Sequence, residues 1–429
     1  MEGINKYFLN VARESIQSPT LQSLQDNFND KLITLTWMNM DVVLQEGICV
    51  PEYWEQIRPS YDIIGGKGGS LVMPGSAIWL SNSRNLVHLP IGTDPGFIQH
   101  AQNMGILHDF KVAKYSDLES IQLDCGLPVM ACDDFVENQE VFRVSTHEAF
   151  RKLNQKSDLS LYSSYHAPYE VKLISELSMQ DFESFNGEKF YIKKDNTEAV
   201  GQGVLPIKSE EDYLNVLEEL RFQLEKFPEL APHVILQGAI EGESKSFQYY
   251  HTPKGPVQLI SVSQQFVNEQ GVYMGSYNPP INIEKLSDQE VYMIYDMSEK
   301  VRSAFPNLEG VIMNDYIQNE NGVFTLDPGL RPSGNTGVSL AKLFVEQETN
   351  ISDICSITFA LPAKGEECSF LEYFKGKEDL LKPKSLNANG FTLMPWGYNP
   401  IQGLPVMALC FREGVEFEAL QQEVKSIFN

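Results

Sequence analysis

The stretch FTLDPGLRPSGNT, Phe324 to Thr336, joins a strand-like run to an acid, Asp327, and places a guanidinium, Arg331, four residues later in a turn stiffened by proline and bent by glycine. A second strand-like run, GVIMNDYI, carries Asp315, and residues 319–322 between the two read as a tight hairpin turn. Residues facing each other across such a pair lie about 5 Å apart, so both aspartates could reach one cation. Two hard oxygen ligands suit magnesium, which keeps several waters and takes further ligands from phosphates. Arg331 offers a planar fork for phosphate or carboxylate. By themselves, the two aspartates also fit the solvated flanks of a turn in an acidic protein.

The elements upstream add cations and a flexible loop. EKFYIKK, Glu188 to Lys194, alternates as a strand and ends near Lys193. The loop DNTEAVGQG follows, and its Gly201 and Gly203 would let the backbone approach a triphosphate without obstruction by Cβ. Ser209 then opens a helix through a capping box to Asp212, with Tyr213, Val216, Leu217, Leu220, Leu224 and Phe227 on one stripe before Pro228. HVILQGAIEGE reads as a buried strand, Val234 to Leu236, leading into a polar elbow. IIGGKGGSLVMPG invites a phosphate-loop reading around Lys67, but Gly68 follows the lysine and the spacing GxxxxGK[ST] is not met, so a turn is expected there.

These elements sit in a chain of 429 residues, long enough for two or three domains sharing a cleft. We expect an N-terminal α/β domain over 1–150, a central region over 151–345 and a small C-terminal extension over 346–429. A 42% hydrophobic and 21% charged composition is that of a soluble globular protein, and no apolar run approaches the roughly 18 to 20 residues of a membrane span. The start, MEGINKYFLNVARESIQ, lacks the pattern of a secretory signal, and a cytoplasmic location is expected. A net charge of -25 opposes nucleic acid and anionic lipid. Six scattered cysteines without a CxxC pair read as reduced packing residues, and seven histidines show no metal-ligand spacing.

Lysine, glycine loop, helix, elbow strand, hairpin carboxylates and arginine, in that order, resemble the ATP-grasp ligase superfamily over roughly Asn154 to Ala341, with LDPGLRPSGNT as the strongest block. The resemblance implies an α/β (α+β) ATP-grasp fold with an N-terminal pre-ATP-grasp domain. It makes LNQKSDLSLYSSYHAP the segment supplying a first nucleotide lysine, Lys156, and Lys193 the second phosphate-binding lysine. LQGAIEGE is similar to the adenine-gripping hinge, with Gln237, the backbone of Gly238 to Ile240, and Glu243 for the ribose hydroxyls. Asp315 and Asp327 match the metal-binding carboxylates, and Arg331 the arginine that holds the transferred phosphate or the substrate carboxylate. The chain departs from the pattern at Gly329, where the family has a metal-ligating asparagine; Asn335 is the candidate replacement, and a non-catalytic nucleotide-binding protein is the other reading.

The activity so implied is ATP- and Mg2+-dependent joining of a carboxylate to an amine through an acyl phosphate, releasing ADP and phosphate. SVSQQFVNEQGVYMGSYNPP and MPWGYNPIQGLPVMALCF look like the branch of the pheganomycin-type peptide ligase and, more loosely, the butirosin glutamate-to-carrier-protein ligase. The partners implied are a small carboxylate such as an amino acid or peptide and an amine, or alternatively the thiol of a carrier protein. Carrier proteins are usually acidic and a chain at -25 repels them, which favours the amine.

Overall fold

In a computed structural model, the structure describes residues 6–27, 34–37, 78–79, 86–90, 92–113, 126–130, 149, 152–153, 155–195, 204–226, 232–267, 273–330 and 332–428. The turn expected around Lys67 lies outside them, as do Cys49, Cys125 and Cys132.

Helix α1 (Lys6–Ser15) leads into the two-residue strand β1 (Ile16–Gln17), and α2 (Leu21–Asn27) follows. Strands β2 (Thr34–Trp37), β3 (Leu86–Pro90), β4 (Asp109–Ala113) and β5 (Gly126–Met130) form a parallel sheet in the order β4-β3-β2-β5, with α3 (Pro95–Asn103) in the crossover from β3 to β4. Parallel strands joined through a helix are the α/β layer expected for the N-terminal part. Asp94 starts α3 by accepting from the Phe97 N–H, and Pro95 occupies the first turn, where no intrahelical donor is required.

A second sheet, antiparallel, contains β6 (Tyr169–Leu173), β7 (Phe190–Lys194), β8 (Val204–Ile207) and β9 (His233–Gly238) in the order β6-β9-β7-β8. Helix α4 (Glu210–Lys226) covers one face, and the predicted stripe, apart from Phe227, which lies outside the described residues, is its packing face: Tyr213, Leu217 and Leu220 are buried with Phe190, Ile192, Val234 and Leu236. Ser209 caps the helix as predicted, accepting from the Asp212 N–H, while Asp212 accepts from the Lys208 N–H. Because β7 alternates, Phe190 and Ile192 take the covered face and Lys193 is turned to the other.

The third sheet runs through most of the remaining chain. It contains β10 (Glu243–His251), β11 (Val257–Val267), β12 (Tyr273–Asn278), β13 (Gly310–Asn319), β14 (Gly322–Gly329), β15 (Ile354–Ala360), β16 (Phe391–Asn399) and β17 (Leu404–Arg412), in the order β14-β13-β10-β11-β12-β15-β17-β16, with β1 parallel to β11. Residues 346–429 therefore supply three strands of the same sheet that carries both aspartates. Helix α5 (Asp288–Ala304) packs Val291, Ile294, Met297 and Val301 against Phe247, Tyr249 and Ile312 on one face. On the other face α6 (Gly334–Thr349) packs Val338, Leu340 and Val345 into a core shared with Tyr250, Ile354, Met394 and Leu409, and with Val87, Leu89 and Phe97 of the N-terminal part. With helices on both faces, β10 from Phe247 onward is buried on both sides, and its sequence loses the polar alternation of a half-exposed strand. Helix α7 (Phe417–Phe428) closes the chain on Leu420, Val424 and Phe428. Among the described residues no helix is long and apolar enough to cross a membrane.

Candidate active site

Asp315 and Asp327 are direct partners across the β13-β14 hairpin, and an irregularity in the ladder makes them so. From Asn319↔Gly322 to Tyr316↔Thr325 the pairing is regular; it then skips Leu326 and resumes at Asp315↔Asp327. Without that extra residue Leu326 would stand opposite Asp315 and Asp327 would point to the far face, since side chains alternate at every residue. The strand also continues past Asp327 through Pro328 to Gly329, so the acid lies inside it rather than at its end as the sequence suggested. Proline is accepted there because β14 is the outermost strand of the sheet path. Gln265 of β11 donates from Nε2 to Asp315 Oδ1 at 2.8 Å, and Ser244 Oγ donates to Gln265 Oε1 at 2.9 Å, which fixes the amide orientation.

The two lysines approach from the other side. Lys156 begins a 3-10 turn (Lys156–Asp158), is 4% exposed, and brings Nζ to 3.8 Å from Asp327 Oδ2. Lys193 is 6% exposed; burial pushes its ammonium down to about 8, opposed by Asp327, reinforced by Lys156 and opposed again by Asp315. Asp195, one residue past β7, accepts from the Ser157 N–H at 2.8 Å and from Ser157 Oγ at 2.7 Å, and Tyr169 Oη donates to the Ser157 carbonyl at 2.7 Å. The segment after Lys156 is stitched to the hairpin as well, Thr325 N–H donating to Tyr165 O at 2.9 Å and Ala167 N–H to Thr325 O at 3.4 Å. Sequence reasoning missed Asp195, Ser157, Tyr169 and Gln265, whose partners are all distant in the chain.

The segment expected to form the hinge turns at Gly242. Gln237 is buried at the end of β9, between Tyr169 of β6 and Tyr191 of β7 on the Lys193 face of that sheet. Gly238 pairs with Phe190, and the Ala239 N–H donates to Lys189 O at 3.0 Å, so that donor is already committed short of Ile240. Gly242 adopts φ +154, and a Cβ there would stand 2.5 Å from the Gln318 carbonyl oxygen. Glu243 opens β10 opposite Gln318, is largely exposed and lies 3.7 Å from Lys245 Nζ. Arg331, Gly201 and Gly203 lie outside the described residues.

Asn335, the candidate replacement for the family's asparagine, has both ends of its amide bonded to another side chain. It lies in the first turn of α6, where its Oδ1 accepts from Asn278 Nδ2 and its Nδ2 donates to Asn278 Oδ1, both at 2.8 Å. The turn expected over Pro332-Ser333-Gly334 is in part that helix: Ser333 is its N-cap, accepting from the Asn335 N–H at 3.2 Å, and its own N–H donates to Thr336 Oγ1 at 2.7 Å. The described cysteines, Cys355, Cys368 and Cys410, are free thiols.

The donor set fits a hard divalent cation. Two carboxylates face each other, one is held by a neutral amide, and no group of three or more His, Cys, Asp and Glu suited to a metal occurs among the described residues. A cation here would complete its shell from water or phosphate.

No protein-family model and no curated protein sequence matches the chain. Solved structures do. N5-carboxyaminoimidazole synthetase from Staphylococcus aureus, complexed with ADP, is 11% identical at a TM-score of 0.53 over 84% of this chain and 95% of that one. Carboxyaminoimidazole ribonucleotide synthase from Aspergillus clavatus, complexed with ATP, is 13% identical at 0.54 over 83% and 96%. An L-amino acid ligase from Bacillus licheniformis is 9% identical at 0.50 over 83% and 94%. The likeness is one of architecture. The chain has the ATP-grasp fold.

Proposed function

We propose that this protein is an ATP-dependent carboxylate-amine ligase working through an acyl phosphate, and the observation that carries the reading is the facing of two buried lysines and two register-paired aspartates. Cations around the transferred phosphate of a triphosphate stabilise its charge, and this arrangement supplies two ammonium groups and a site for a third, divalent cation. Three structural neighbours support the reading: two are complexes with ADP or ATP, and the third is an L-amino acid ligase.

Asp315 and Asp327 would hold magnesium, which when bound neutralises charge on the β- and γ-phosphates. Lys156 and Lys193 grip the phosphates, and the glycine loop carrying Gly201 and Gly203 covers them. Gln237, the backbone from Gly238 to Ile240, and Glu243 hold the nucleoside. The substrate carboxylate oxygen attacks the γ-phosphorus; the bond from that phosphorus to the β-bridging oxygen breaks, and ADP leaves with the electron pair. The amine nitrogen then attacks the acyl carbon, the carbon-oxygen bond to phosphate breaks, and the nitrogen gives up a proton. Arg331 holds the acyl phosphate between the two steps. Orientation of the three reactants and exclusion of water provide the remaining advantage. We assign 1–150 to the pre-ATP-grasp part, 151–345 to nucleotide binding and 346–429 to completing the substrate side.

The test is ADP and phosphate release from MgATP with paired amino acids and amines, one amide formed per ADP. Release of AMP overturns the acyl-phosphate route. Arg331→Lys keeps the charge and loses the fork, so ATP affinity should persist while turnover falls about 100-fold. A second reading, nucleotide binding without turnover, is favoured by Gly329 together with the commitment of Asn335 to Asn278. In that case no substrate pair releases ADP, and Gly329→Asn should restore it.

A further inference from the structure

The face of the large sheet that carries Asp315 continues inward as a row of neutral polar side chains. Ser246 of β10 is the direct register partner of Asp315, and Ser263 of β11 is the partner of Ser246. Two residues further along β10, on the same face, stands Gln248, paired with Ser261. Gln248 is 0% exposed and Ser261 1%, yet neither Gln248 Nε2 nor Ser261 Oγ has a hydrogen-bond partner. Leaving such groups unmet costs each its lost hydration, so native proteins rarely do so without a use.

The orientation of the Gln248 amide follows from its neighbour. Thr336, in the first turn of the 16-residue helix α6, already accepts from the Ser333 N–H, and its hydroxyl donates to Gln248 Oε1. The amide nitrogen is thereby turned away from the helix with two protons to give. Beside it, the Ser261 hydroxyl can both give and accept. The ladder is irregular immediately after this pair, between Gln248 and Tyr249, as it is beside Asp315.

We propose that Gln248 and Ser261, set by Thr336, form a subsite for a neutral carboxamide on the substrate whose carboxylate is activated; this deepens the ligase reading and rests on it. An amide carbonyl accepts a hydrogen bond from Gln248 Nε2 while its N–H donates to Ser261 Oγ, which meets both unpartnered groups at once. A carboxylate would be buried against neutral groups, since Gln248, Ser261 and Thr336 carry no charge to offset it. An apolar group would leave both unmet. Two residues of strand separate Gln248 from Ser246, roughly 7 Å. That spacing suits an amino acid or short peptide with its amide a few bonds from the carboxylate, as in glutamine.

The test measures MgATP-dependent ADP release with matched acids, namely L-glutamine against L-glutamate and L-norleucine, and L-asparagine against L-aspartate and L-norvaline, each with an amine present. Amide members should exceed both counterparts by at least about 100-fold in kcat/KM, the discrimination of a site built around a hydrogen-bonding group. Gln248→Met should remove that preference while MgATP affinity is kept. Should Gln248→Met fail to fold, as judged by its melting temperature, Ser261→Ala carries the same comparison. Equal rates across the series, or preference for the acid or apolar members, overturn the subsite. ADP release from none while MgATP still binds, or failure of the parent protein to bind MgATP, overturns the ligase reading instead.

Discussion

Asp195 takes both the backbone N–H and the hydroxyl of Ser157, at 2.8 and 2.7 Å, and so ties the turn that carries Lys156 to the end of the strand that carries Lys193. The two lysines come from segments of the chain that share no regular ladder. Their spacing depends on this carboxylate. Hydrogen bonds to an ionised group contribute roughly 1.5–3 kcal/mol each. Asp195→Ala should therefore weaken ATP affinity at least about 10-fold and lower the melting temperature. Asp195→Asn, which can still accept from the N–H, should fall between. Calorimetric titration with ATP on both variants checks the order; unchanged affinity in Asp195→Ala would mean that each lysine is held independently.

Asp327→Asn keeps the size of the side chain and removes a charge from the paired carboxylates. ATP binding by the parent should require magnesium and be lost with chelator, because two carboxylates and a triphosphate repel one another. The variant should bind ATP weakly with or without the metal. Titrations with magnesium and with chelator separate the two effects, and equal affinity of the parent in both would remove the metal role.

Gly242 should not tolerate a side chain. At φ +154 with a backbone oxygen 2.5 Å from where Cβ would be, Gly242→Ala has to push the hinge away from Gln318. A cost of about 1–3 kcal/mol is expected. Gly376→Ala is the control, having positive φ, +75, but nothing within 4 Å. Melting temperatures should drop further for the first than for the second, and only the first should impair ATP binding.

Glu346, one turn after Lys342 on α6, has its carboxyl raised by burial from the ordinary 4.5 to about 7, with Lys342 opposing. The folded chain thus binds more protons than the unfolded chain between these values, and stability falls as pH rises from 4.5 to 7. Glu346→Gln should remove that slope. It should match the parent near pH 4 and exceed it above pH 7 by on the order of 2 kcal/mol. Denaturant midpoints across pH 4 to 8 provide the comparison; parallel curves would place the titration elsewhere.

The elements that could be read from sequence were those whose logic is local. The cap at Ser209, the stripe on α4 and the hairpin turn after Asn319 depend on neighbours within a few residues, and each formed where expected. The ATP-grasp fold was also legible, through the order of those elements. The exact placing of Asp327 was not, since the skipped Leu326 reflects the pairing of two strands rather than any property of Leu326 itself. Pro328 looked like the end of a strand because a proline cannot donate, yet on an outer strand that donor is not needed. Asp195 and Gln265 gave no signal, because a carboxylate bonded 38 residues back and an amide bonded 50 residues ahead carry no periodicity.

The continuity of the large sheet decides how this chain could be cut. Tyr277 and Asn278 of β12 are paired on their outer side with Ile357 and Ser356, from beyond residue 346. A fragment ending at 345 would keep every lysine and aspartate of the site but expose that edge of β12, together with apolar side chains of α6 that now rest on β15 and β17. Bare strand edges recruit other chains. Such a fragment would self-associate, so the part ending at 345 cannot serve as a transplantable module and must travel with residues 346–429.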